Sequence, residues 1–143
     1  MPLGPSVPRW QALANELAAL CDRTGARQAV VMDAFDDLWC RARPMDDPQP
    51  AFDALALALT HANAPLRAGG RIDLASPGVR AVSFAAVYVL ILFFDDEYPT
   101  AWVTAAIRRA LPTIESLVTS LPPPDGSDPR AVARREPTSN PGS

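Results

Sequence analysis

Val87-Tyr88-Val89-Leu90-Ile91-Leu92-Phe93-Phe94 is a run of eight apolar residues, rich in β-branched and aromatic side chains, and Asp95-Asp96 closes it at once. Successive side chains of a strand point to opposite faces, so a strand with no polar position has to be covered on both sides. Burying side chains of this size is worth about 1.5–3 kcal/mol each before conformational entropy is subtracted. The run is therefore the expected spine of the fold. A membrane helix is excluded by length: the uncharged stretch lies between Arg80 and Asp95, and a span needs about 20 apolar residues.

The chain has 143 residues, 48% hydrophobic and 20% charged, which predicts one soluble globular domain. A net charge of -3 argues against a nucleic-acid or anionic-membrane partner, which would require a basic stripe. All basic residues are arginine, a bias we ascribe to genome composition. Cys21 and Cys40 fall on predicted regular elements without metal-type spacing, and the N-terminus does not resemble a signal peptide. A reduced, cytoplasmic protein with two buried thiols is expected.

Met1 to Val7 reads as a flexible lead-in. From Pro8 onward, Trp10, Leu13, Ala14, Leu17 and Cys21 recur at helical spacing, and Gly25 stands where a left-handed cap would end the helix. Gln28 to Phe35 and Leu38 to Ala42 are strand-like and flank Asp36-Asp37, which predicts an antiparallel hairpin without the usual turn glycine. The proline-rich stretch Pro44 to Pro50 is a loop, and Ala51 to His61 follows as a helix built of Ala and Leu. Phe52, Leu55 and Leu59 share one face of it, while Leu57 points elsewhere. A helix apolar on more than one side needs more than one cover. The sheet supplies one, and a second subunit is expected to supply the other.

After Gly69-Gly70, Arg71 to Ala75 and Val79 to Phe84 read as strands, with Ser76-Pro77-Gly78 as the turn between them. Ala85-Ala86 is a tight bend into Val87 to Phe94, completing a meander. The acidic run Asp95-Asp96-Glu97 before Pro99 suits a helix start. Trp102, Val103, Ala106, Ile107, Ala110, Leu111, Ile114, Leu117, Val118 and Leu121 then recur every three or four residues, with Pro112 expected to bend the helix. The segment 122–143 is too poor in apolar residues to fold and is expected to be disordered. The element order α-β-β-α-β-β-β-α, five mostly antiparallel strands with helices on both faces, is a three-layer α+β sandwich spanning residues 8–121.

The chemistry-bearing residues are sparse. No phosphate-binding glycine motif occurs, and the single histidine, His61, cannot build a histidine-rich metal site. Its expected place is the end of the second helix, where a cation opposes the dipole. Neither Ser83 nor Cys40 stands in a nucleophile-elbow context. The pair Arg108-Arg109 reads as a solvated helix face. The expectation is a non-enzyme with no catalytic, cofactor or metal residues.

The element order from Trp10 to Leu121 resembles the Roadblock (dynein light-chain) family, and in particular its bacterial MglB/MglC-like members. The residues that carry the likeness are Arg71-Ile72-Asp73-Leu74-Ala75, the Ser76-Pro77-Gly78 turn, Val87 to Asp95 and the helix with Arg108-Arg109-Ala110-Leu111-Pro112. The resemblance implies a small non-enzymatic protein that dimerises through the second helix and its neighbouring strand, joining two sheets into one. Phe52, Leu55, Leu57, Leu59, Arg71, Ile72, Asp73 and Leu74 are the positions it assigns to that interface. It further implies a partner that is a Ras-like small GTPase or a second Roadblock protein, with a regulatory or scaffolding role in cell polarity or motility. The alternative is a small-molecule-binding sensory module, which requires a sizeable internal apolar pocket.

Overall fold

The computed structural model describes residues 6–34 and 38–120. Along the chain these form α1 (Ser6–Thr24), β1 (Gln28–Asp33), β2 (Leu38–Arg41), α2 (Gln49–Thr60), a single 3-10 turn (Leu66–Ala68), β3 (Asp73–Ser76), β4 (Val79–Phe84), β5 (Tyr88–Phe93) and α3 (Thr100–Thr119). The predicted hairpin tip Asp36-Asp37, and Leu121 with the tail after it, lie outside the described residues.

The strands make one sheet in the order β2-β1-β5-β4-β3, every neighbouring pair antiparallel. β5 is central, as its unbroken apolar sequence requires, and all six of its residues are buried. Its two neighbours are paired in continuous register, Val31 opposite Leu90 on one side and Val82 opposite Leu90 on the other. The bend between β4 and β5 holds Ala85 and Ala86 at φ +50° and +74°. Left-handed backbone at consecutive turn residues matches the twist of the flanking strands, and alanine carries the smallest Cβ that can be placed there.

Alternation along the strands sorts the core into two halves. Ala29, Val31, Leu90 and Leu92 face α1 and α3, where they meet Leu13, Leu17, Leu20, Val103, Ile107 and Ile114. Val30, Met32, Val89, Ile91 and Phe93 face α2, where they meet Ala51, Ala54, Leu55 and Ala58. The molecule is thus an α+β sandwich with two helices on one face of the sheet and a single helix on the other.

Several local expectations change. α1 begins at Ser6, two residues before Pro8. It ends as predicted, with Gly25 at φ +82° returning its N–H to the Cys21 carbonyl at 2.8 Å. α3 continues through Pro112 as one helix. Pro112 lies on its exposed side, so the missing N–H is lost from the solvent face and leaves the buried stripe intact. Asp95, Asp96 and Glu97 precede the Pro99 cap and do not enter the first turn. Asp95 instead accepts from Arg27 Nε at 3.0 Å. Trp102, counted with the buried stripe from its spacing, is 63% exposed.

Candidate interaction surface

α2 is started by Asp47, whose Oδ1 accepts the Gln49 N–H at 3.0 Å, and by Pro50 within its first turn. His61 ends it: Nδ1 lies 3.0 Å from the Leu57 carbonyl, and the His61 N–H reaches the Ala58 carbonyl at 3.0 Å. The ring therefore serves the helix C-terminus, as its sequence position indicates. Three of the four buried positions of α2 are alanines, so the helix lies low on the sheet with Leu55 as its one large anchor.

The predicted interface residues separate into three groups. Leu55, Ile72 and Leu74 are 0%, 2% and 7% exposed and belong to the core of the subunit itself. Phe52 and Leu59 are half-buried along one rim of α2, two turns apart, and pack against that core. Leu57 stands 42% exposed on the opposite flank of the helix, and Arg71 and Asp73 are exposed on either side of Ile72. Side chains available to a partner are therefore Leu57 on one flank of α2, Phe52 and Leu59 on the other, and Arg71 and Asp73 in the second segment, with Asp73 turned to the α3 side of the sheet.

That segment begins later than its sequence indicates. Arg71 and Ile72 run up to the strand and are fastened by neighbours: Asn63 Oδ1 accepts the Arg71 N–H at 2.8 Å, and Ser83 Oγ accepts the Ile72 N–H at 2.9 Å. β3 proper starts at Asp73 and forms one edge of the sheet. The Ser83 N–H bonds the Ile72 carbonyl at 3.0 Å, so the alternation of an antiparallel ladder turns the backbone of Asp73 and Ala75 to the open side. A free strand edge is a template for a further strand.

Asp73 is not left to itself. Its Oδ1 lies 2.6 Å from Nη1 of Arg80, a guanidinium only 5% exposed that also donates to the Leu74 carbonyl at 3.2 Å and, through Nη2, to Thr104 Oγ1 of α3 at 3.1 Å. Its Nε has no hydrogen-bond partner among the described residues. A buried guanidinium needs such partners to offset desolvation, and here they tie the edge strand to a helix on the far face. The sequence reading passed over Arg80. The sequence carries its signal, because Arg80 shares a strand face with the apolar Val82 and Phe84.

Other reactive groups stay inert. Burial pushes the Cys21 thiol up, and burial likewise raises Cys40 to about 11. Among the described residues no three metal-ligating side chains converge, and no helix is long and apolar enough to cross a membrane. The hollows lined by Arg27 and Phe93, by Gly70 and Ala86, and by Cys40 and Pro44 measure about 210, 300 and 310 Å³.

No protein-family model matches this sequence, and no curated protein matches it. Solved structures do. MglB from Myxococcus xanthus aligns over 82% of this chain and 95% of its own, with a TM-score of 0.57 at 15% identity. The gliding protein MglB from Thermus thermophilus aligns over 82% and 93%, with a TM-score of 0.57 at 18% identity. The fold is that of MglB. A third structure, described as MglB with a tetrameric arrangement, aligns over the same 82% and 93% with a TM-score of 0.53 at 18% identity. MglB proteins are bacterial Roadblock-domain proteins, so the architecture implied by the sequence resemblance is the one observed. At these identities the likeness is one of fold, and function has to be argued from the surface.

Proposed function

We propose that this protein is a non-enzymatic, cytoplasmic Roadblock-type homodimer that regulates or scaffolds a Ras-like small GTPase, directly or through a second Roadblock protein, in bacterial polarity or gliding motility. The observation that carries this reading is Leu57, a large apolar side chain exposed on the flank of α2 opposite half-buried Phe52 and Leu59, on a helix that covers its sheet face alone, together with the open edge of β3. An uncovered leucine on a thin helix layer and an open strand edge suit a second copy. Such a copy would place helix against helix and extend the sheet across the edge. The MglB fold, which includes a gliding protein, supports the motility context.

Sedimentation velocity at tens of micromolar tests the dimer, and GTP hydrolysis by a Ras-like GTPase encoded beside this gene tests the partner. The wild-type chain is expected to sediment as a dimer and to bind that GTPase, altering its turnover or its placement. Leu57→Glu is expected to give monomers that no longer do so. A wild-type monomer, with Leu57→Glu changing neither mass nor GTPase binding, would overturn the proposal.

A further inference from the structure

The other side of the molecule carries a surface that the α2 and β3 reading does not use. Where the end of α1 meets the start of α3, the Trp102 indole Nε1–H donates to the Arg23 carbonyl at 2.9 Å. Arg23 lies in the last turn of α1, where carbonyls lack intrahelical partners, so this bond explains the indole nitrogen. It does not explain the ring. At 63% exposure, Trp102 leaves more of itself in water than Leu57 does, and the hydrogen bond holds it there in one orientation. Beside it, Ala105 and Ala106 floor a recess of about 120 Å³ whose remaining walls are Arg23 and Arg109. Arg23 is shared with Glu16 at 3.6 Å, whereas Arg109 is exposed and enters no ion pair among the described residues.

We propose that this recess docks an acidic segment of another protein, with an apolar side chain laid on the Trp102 ring above Ala105 and carboxylates meeting Arg109 and Arg23. Tryptophan and arginine are the residue types that dominate binding energy once water is excluded around them. Guanidinium pairs with carboxylate through two parallel N–H bonds. Charge separates this occupant from the others. A second copy laid symmetrically on the patch would set Arg109 and Arg23 against themselves. A polyanion requires a broad basic field, and this chain carries a net charge of -3. A short acidic segment requires only the two guanidinia present. The sheet separates the recess from α2, so both surfaces can be occupied at once and the two proposals fail independently.

The test uses the ¹⁵N-labelled full chain and a short synthetic peptide with a central Leu-Phe between Asp-Glu pairs, compared with a peptide in which every acid is lysine. The Trp102 indole cross-peak, identified by its loss in Trp102→Phe, should shift saturably with the acidic peptide together with the amides of Ala105 and Ala106. Arg109→Glu should weaken that binding about tenfold or more while leaving the spectrum dispersed. The proposal is overturned by any one of four results. These are equal shifts of the same peaks by the lysine peptide, the same shifts from a single-stranded oligonucleotide or anionic vesicles, movement of the peaks with protein concentration alone, and an unchanged affinity in Arg109→Glu.

Discussion

The two faces of the sheet are covered by different means. α1 and α3, 19 and 20 residues long, close one face with large side chains from both helices. α2, 12 residues long, covers the other with three alanines and one leucine. Two long helices bury each other's flanks as well as the sheet, and the recess beside Trp102 lies at their solvent rim. Among the described residues the single short helix has no neighbouring helix, and both its rims stay partly apolar. Stability is accordingly concentrated on the two-helix face, while the one-helix face is left thin enough to need a partner.

The sharpest way to break this comparison is to truncate one fully buried leucine on each face. Leu17→Ala should lower the unfolding free energy by about 2–5 kcal/mol in denaturant melts, because two helices and the sheet hold the cavity open. Leu55→Ala should fall at the low end of the same range, since α2 alone can settle toward the sheet. A larger loss for Leu55→Ala would reverse the assignment of the faces. Next in size is Asp73→Ala, expected to cost about 1 kcal/mol and to speed amide exchange along β3, because the buried Arg80 guanidinium loses an ionic partner that water only partly replaces. If exchange at β3 is unchanged, Arg80 does not fasten the edge. Leu57→Glu should move unfolding of the isolated subunit by no more than about 0.5 kcal/mol, measured at concentrations where it is monomeric. Near neutral pH the smallest effect belongs to Cys40, which packs against the two-helix core and is protonated in both states there. Its thiol titrates near 9.0 when free and at about 11 in the folded chain, so the unfolded chain alone sheds the proton as pH rises between those values. Stability from this site is therefore full below pH 9 and declines toward pH 11, and alkylation at pH 8 should be slower in the native protein than in the unfolded one.

The layers were legible in the sequence because they rest on periodicity. The all-apolar Val87 to Phe94 marked a central strand, the 3.6-residue spacing marked α1 and α3, and the surplus leucine in Ala51 to His61 marked a helix with two apolar sides. What escaped depended on contacts between segments distant in sequence. Spacing counted Trp102 into the buried stripe, yet the flank where it lies is open and its indole is bonded to Arg23. Arg71-Ile72 has the composition of a strand, but Asn63 and Ser83 fasten it before the ladder starts. The candidate interface divided similarly: Leu57 was recognisable as surplus to one face, whereas Leu55, Ile72 and Leu74 could be assigned to the subunit core only once α2 was seen lying over β5 and β4. The pattern of a helix or strand states which residues want cover, and the tertiary structure decides what covers them.

The position of β5 has a kinetic consequence. It pairs with β4 through a three-residue bend, but with β1 only across residues as far apart as Met32 and Val89, with β2, α2, β3 and β4 enclosed between them. Loop-closure entropy sets the long pairing behind the short one, so the meander β3 to β5 should collapse first and α1 with β1 should join it last. During synthesis the β1–β2 hairpin therefore waits for the last strand, and until β5 leaves the ribosome that hairpin has no meander to join.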